Sequence, residues 1–199
     1  MLSLPDGVSY SALHLLRHLL RGDLRAYHVY ELAHFLHRTE HDHELWGAWR
    51  SNRSGTSLHI EAVAFRLAAE WFGCKMHPIV DEAVTTLPLN IARWFKLFSH
   101  SPLALEQPNK DELFLHLSLV DRLTDQCAIV ARRLFPFSAP KLVDPTPEGA
   151  KKSLFVTLCT GLRQFKFMVG RAIHHLRTTM PLIRGLFRWR MSTRKYVVL

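Results

Sequence analysis

Cysteine, glycine and proline are scarce in this chain, and the architectures that depend on them are excluded with them. Three cysteines in 199 residues, Cys74, Cys127 and Cys159, are odd in number and far apart. Each sits among apolar neighbours, which predicts buried thiols in a reducing compartment and no disulfide. Nine glycines and ten prolines leave little turn chemistry for a many-stranded fold. No stretch approaches the roughly 20 uninterrupted apolar residues of a membrane span. The N-terminus carries Pro5, Asp6 and Gly7 where a secretory signal needs a basic stretch and then an apolar one. Cytoplasm is therefore the expected location, with attachment at the periphery of a membrane if the basic end engages one. Acidic residues are missing from the last quarter: Lys151 to Leu199 holds eleven Lys or Arg and no Asp or Glu, against fifteen basic and seventeen acidic groups before it. A near-neutral body with a strongly basic end presents that end to an anionic partner or to an acidic face.

What the chain has in quantity is apolar spacing of three and four, with the breakers between the periodic runs. At 48% apolar and 22% charged it has the composition of a folded protein, long enough to bury roughly 70% of its unfolded surface. The pattern predicts an all-α fold, a multi-helix bundle ending in a long basic amphipathic helix. A first helix is expected over 9–21, with Leu13, Leu16 and Leu20 on one face and Gly22 as its stop. A second starts at Asp23 as N-cap and ends near His37 or Arg38. A short third holds Leu45, Trp46 and Trp49. The fourth, capped by Ser57 and ended by Gly73, carries the stripe Ile60, Val63, Ala64, Leu67, Ala68 and Trp71. Two shorter helices follow Pro78, divided at Pro88. A long one runs from Asp111 as cap to Leu134, with Leu113, Leu117, Val120, Cys127, Ala131 and Leu134 inward. The predicted organisation is a helical body over 1–134, a Pro-rich connector over 135–147, and a basic segment over 148–199 packed on the body, the whole forming one domain. The last helix should kink or stop at Pro181, and the terminal Tyr196 to Leu199 is the one stretch with strand character.

No constellation of residues supports a complete enzyme. Among 13 histidines, His14 and His18 stand one helical turn apart, and His34, His37, His41 and His43 gather where the second helix ends. Two histidines at that spacing can share a metal. The sequence fixes no third ligand, so packed or solvated histidines are expected, with no metal and no cofactor. No Ser or Cys has the strained or Gly-rich setting of an activated nucleophile. Gly55-Thr56-Ser57 is too little for a phosphate loop, and Asp121 with Asp125 reads as a solvated, ion-paired face. No catalytic residue is predicted.

The basic C-terminal segment carries the most physical information. At 100° per residue Phe155, Leu158, Leu162, Phe165, Val169, Ile173, Leu176 and Met180 make one apolar stripe, with Lys152, Arg163, Lys166 and Arg177 gathered on the far side. The expected arrangement packs that stripe on the body and leaves the basic face hydrated. Beyond Pro181, Arg184, Arg188, Arg190, Arg194 and Lys195 are the expected contacts to an anion, either a membrane surface or nucleic acid.

The order of the segments also carries a resemblance. Leu13-His14-Leu15-Leu16-Arg17-His18, Tyr30-Glu31-Leu32-Ala33 with His37-Arg38, and Trp71-Phe72-Gly73 come first. Leu117 to Asp121, Arg132 to Pro136, Phe167 to Arg171, His174 to Arg177, and Gly185 to Trp189 follow in order. Together they resemble the helical region that follows the catalytic domain in an uncharacterised bacterial nucleotidyltransferase family. The resemblance implies a partner domain, in cis or in trans, that mounts a Gly-Ser turn and an Asp-x-Asp pair to hold Mg²⁺ on nucleotide phosphates. This chain has neither motif, and Glu31 stands where the family has Asp. The implied role is a non-catalytic scaffold beside such a domain, and the competing role is a basic module on an anionic membrane or nucleic acid.

Overall fold

Three- and four-residue spacing becomes helix throughout the computed structural model, which describes residues 3–103, 110–134 and 154–196, with side chains over 158–192 in the last span. Among these residues nine α-helices and no strand are found, so the all-α bundle with a long last helix is the observed fold. The helices are α1 (Leu4–Arg21), α2 (Ala26–Arg38), α3 (His43–Ser51), α4 (Gly55–Phe72), α5 (Pro78–Thr85), α6 (Leu89–Phe98), α7 (Glu112–Ser118), α8 (Leu123–Leu134) and α9 (Leu154–Tyr196).

Local chemistry sets most of these boundaries. Ser3 caps α1 with Pro5 in its first turn, and Gly22, at φ 75°, closes it by donating to the carbonyls of His18 and Leu19. Asp42 caps α3 by accepting from Leu45 N–H at 2.9 Å. The cap of α4 is Ser54, with Ser57 Oγ bonded back to its carbonyl at 2.8 Å, three residues before the expected cap. Gly73, at φ 60°, ends α4. Asp23 does not cap α2, whose N-cap is Arg25 without a side-chain bond. The carboxylate bonds His18 instead.

The core forms around α4, against which α1, α2 and α5 pack. Its predicted stripe is buried or packed on the core, and Leu58, Glu61, Ala62 and Phe65 are buried as well, because small Ala62, Ala64 and Ala68 let neighbours approach on several sides. Trp46, Trp49 and Phe65 pack edge to face with centroids 5.5 to 6.0 Å apart, a favoured aromatic geometry. The buried indoles find acceptors: Trp46 donates to Thr39 O at 2.8 Å and Trp94 to Asp111 O at 2.8 Å. Beneath them, buried Glu61 accepts from Ser9 Oγ at 2.7 Å, Trp49 Nε1 at 2.7 Å and Arg53 Nε at 2.8 Å, tying α1, α3 and α4 together. The guanidinium of Arg53 stays firmly charged: desolvation opposes the charge, and the bonds to Glu61 and Asp6 outweigh it.

Several sequence expectations change. Leu13 is exposed, and α1 buries Val8, Ala12, Leu15, Leu16 and Leu19 instead. The helix expected from Asp111 to Leu134 breaks over 119–122 into α7 and α8, and of its predicted inner stripe only Leu113 is buried. Cys74 is half-buried, while Cys127 and Cys159 are exposed rather than buried. The last helix continues through Pro181, because contacts on either side of the proline, at buried Thr178 and Gly185, hold both halves in line. The Pro-rich connector, the helix start at Glu148, and Val197 to Leu199 of the terminal stretch lie outside the described residues, and Tyr196 ends a helix.

Candidate functional site

The last helix has two unlike faces, and the one that docks is not the one expected. Arg171, His175, Thr178, Leu182, Gly185, Trp189 and Ser192 follow each other at alternating steps of four and three, and this line meets α6, α7 and α8. Trp189 stacks on Phe114 with centroids 5.5 Å apart and on Phe98 at 6.4 Å. Arg188 donates to Leu97 O at 3.0 Å. Gly185 sits so close that a Cβ there would lie 3.1 Å from Phe114 and 3.2 Å from Asp111 Oδ1. Lys110 Nζ reaches His175 Nδ1 at 2.6 Å, and Arg171 donates to Arg133 O at 3.3 Å. Burial lowers the pKa of both Lys110 and His175, and the Lys110 charge pushes His175 further toward its neutral form, whose Nδ1 can accept from Lys110 Nζ. Burial likewise raises Glu112, which Arg133 pairs at 2.9 Å.

The predicted apolar stripe lies about 180° from the docked line. It is therefore turned away from the body: Leu158 is 70% exposed, Phe165 66% and Leu176 77%, and Leu162, Val169, Ile173 and Met180 are exposed too. The expectation that this stripe packs on the body is thus overturned for its described residues, and Phe155 lies outside them. Ile183, Phe187 and Met191, all exposed, extend the same line past Pro181. The ten positions from Leu158 to Met191 step by about 3.7 residues on average, so the stripe stays on one side of the helix for about 50 Å.

Arg163, Lys166 and Arg177 do not oppose this stripe. Together with Arg184 they run along one flank, and Arg190 stands on the other. Of the predicted anion contacts, Arg184 and Arg190 are exposed, Arg188 is engaged by Leu97 and by the ring of Phe98 at 5.2 Å, and the side chains of Arg194 and Lys195 lie outside the described residues. Among the described residues no helix is long and apolar enough to cross a membrane.

The histidines sort differently from their order in the chain. The expected cluster at the end of α2 disperses: His43 turns to His77 at 2.8 Å, and His37 and His41 face Glu40. His14 and His18 gain a third imidazole, His28 of α2, brought to them by the turn between α1 and α2. Separately, Arg17, Arg21, Arg133 and Arg171 line a cavity of about 530 Å³ bordered by α1, α7, α8 and α9. Comparison with protein-family models, with curated proteins and with solved structures found no match.

Proposed function

We infer that the chain is a membrane-surface module whose last helix lies along an anionic bilayer. The solvent-facing apolar stripe of α9, backed by a body docked on the opposite side, carries this reading. Three features favour a lipid surface over other covers. The 11 basic side chains of this segment have no acidic residue among them, so a second copy laid alongside would meet repulsion at every turn. A step of about 3.7 residues, close to the 3.6 of a straight α-helix, keeps the stripe on one side of α9 along its length, as a flat surface requires. Arg163, Lys166, Arg177 and Arg184 flank the apolar line on one side and Arg190 on the other, where their stems lie on the hydrocarbon boundary and their charges reach phosphates. Each basic group near an anionic leaflet contributes about 1 kcal/mol, in addition to the burial of Leu, Ile and Phe side chains. Nucleic acid would use the charges and leave the apolar stripe uncovered.

Vesicle flotation tests this directly. The full chain is expected to float with phosphatidylserine-containing vesicles, to float weakly with purely zwitterionic ones, and to be released as salt rises. The double change Phe165→Glu with Leu176→Glu should abolish flotation while leaving the melting profile of the body unchanged. Flotation that ignores this double change, or binding to duplex or single-stranded nucleic acid in preference to vesicles, overturns the reading.

The role beside a nucleotidyltransferase domain is a proposal about what accompanies this module. It rests on the order of the segments alone, and a neighbouring reading frame with Gly-Ser and Asp-x-Asp would supply the missing catalytic half.

A further inference from the structure

The α1–α2 hairpin brings three imidazoles to one point. His14 and His18 project from successive turns of α1 with their Nε2 atoms 3.1 Å apart. Gly22, in the left-handed conformation, then turns the chain back so that His28 packs across them, its ring centroid 4.5 Å from His18 and 5.9 Å from His14. One ring nitrogen from each of the three lies within 4.8 Å of the other two. Asp23 holds the set from behind, its Oδ1 3.0 Å from His18 Nδ1, which leaves Nε2 of that ring facing the other two. A carboxylate bonded to the outer nitrogen of an imidazole is the arrangement that orients histidine ligands in metal centres. Asp23 makes no cap to α2, whose N-cap is Arg25, and Nδ1 of His28 is buried without a hydrogen-bond partner.

We propose that His14, His18 and His28 form a three-histidine site for Zn²⁺, with Asp23 orienting His18 and a fourth position open to the adjoining cavity. Tetrahedral Zn²⁺ with bonds of about 2.0–2.1 Å sets its nitrogen ligands about 3.3 Å apart. The His14–His18 pair already meets that spacing, and rotation of the His28 ring closes the rest. A neutral all-imidazole donor set suits zinc and its transition-metal neighbours and is a poor match for Ca²⁺ or Mg²⁺, which take oxygen. The cavity, about 500 Å³, is lined by His14 and His28 together with Tyr10, Glu31 and Phe35, so a water or a small ligand can reach a metal held there. This site is independent of the membrane face, being built from α1 and α2 alone.

The test uses the full chain, stripped of metal by a chelator and dialysed, then titrated with ZnCl₂ by calorimetry and with CoCl₂ by visible absorption. One equivalent of Zn²⁺ is expected, together with the intense bands of four- or five-coordinate Co²⁺ on nitrogen. Asp23→Asn should weaken binding about ten- to hundredfold, and His14→Ala or His28→Ala should weaken it more than that. His43→Ala, at the separate His43–His77 pair, should leave it unchanged. Thermal unfolding of the metal-free variants establishes that each is folded, and His28→Gln serves if His28→Ala is not. Failure of the folded wild-type chain to take up one equivalent, uptake that survives the His28 substitutions, or uptake lost equally on His43→Ala overturns the site.

Discussion

Helices α4 and α9 both carry long apolar stripes at helical spacing, and the body treats them oppositely. Around α4 it closes from several sides until even Phe65 and Leu67 are fully buried. Against α9 it takes the face with Thr178 and Gly185 and leaves Leu158, Phe165 and Leu176 outside. The difference lies in how near two backbones can come. Alanines on α4 and a glycine on α9 admit a neighbour, whereas a row of Leu, Phe and Ile with nothing small among it suits a surface that yields, such as a bilayer. Apolar periodicity therefore shows that a helix has a face, and the small residues show where protein covers it.

Substitutions sharpen that contrast in graded steps. Trp49→Ala should cost the body about 3–5 kcal/mol, since it empties a fully buried site, and a denaturant titration followed by far-ultraviolet circular dichroism will measure it. Glu61→Ala should cost a similar 3–5 kcal/mol by leaving buried Trp49 Nε1 without its acceptor and Arg53 with Asp6 as its one remaining carboxylate, with Glu61→Gln milder; equal losses in the two would contradict the ionic part of the network. Gly185→Ala should loosen the dock of α9 by about 1–3 kcal/mol through the overlap with Phe114, read as faster hydrogen exchange over 171–192 and little change in α4. Phe165→Glu with Leu176→Glu should move stability by no more than about 0.5 kcal/mol, since exposed side chains leave no cavity. A large loss there would mean that protein covers the stripe after all.

Acid gives a further gauge of the body. Burial, with His43 close by, holds His77 below the ordinary histidine value of 6.5, and burial does the same to His116. As pH falls through 6.5 the unfolded chain takes these protons before the folded one does, so the penalty is absent above that pH and grows below it. Urea midpoints should drop from pH 7.5 to 5.5, and His77→Gln should flatten the drop.

The helices were legible because their signals are local. Gly22 and Gly73 stop α1 and α4 where the sequence indicates, and Pro78 and Pro88 mark the starts of α5 and α6. The break between α7 and α8 was not legible, since no glycine or proline stands there. The grouping of His28 with His14 and His18 was not legible, since the third imidazole is ten residues away in sequence, and Asp23, which reaches His18, reads as an ordinary cap. The buried Ser9–Trp49–Arg53–Glu61 network gave no sequence signal, because its members come from three helices and the α3–α4 loop and each alone reads as a surface residue or a core indole. The direction of α9's stripe was misjudged because the apolar side of a helix was equated with its packed side.

The dock at 171–192 also decides how the rest of α9 holds its shape. Residues 158–170 precede the docked line, and Thr160, Gly161 and Gly170 are weak helix formers. Alone, such a stretch would have to nucleate its first turn at a cost of about a thousandfold in probability. Joined to a docked helix it needs only to propagate, one hydrogen bond per residue, from an end that is already wound. The body thus acts as a template, and the winding of 158–170 becomes a quantity that a covering surface can adjust. Vesicles that cover the stripe should deepen the helical circular dichroism of the chain and slow amide exchange from residue 170 backward toward 158, in that order.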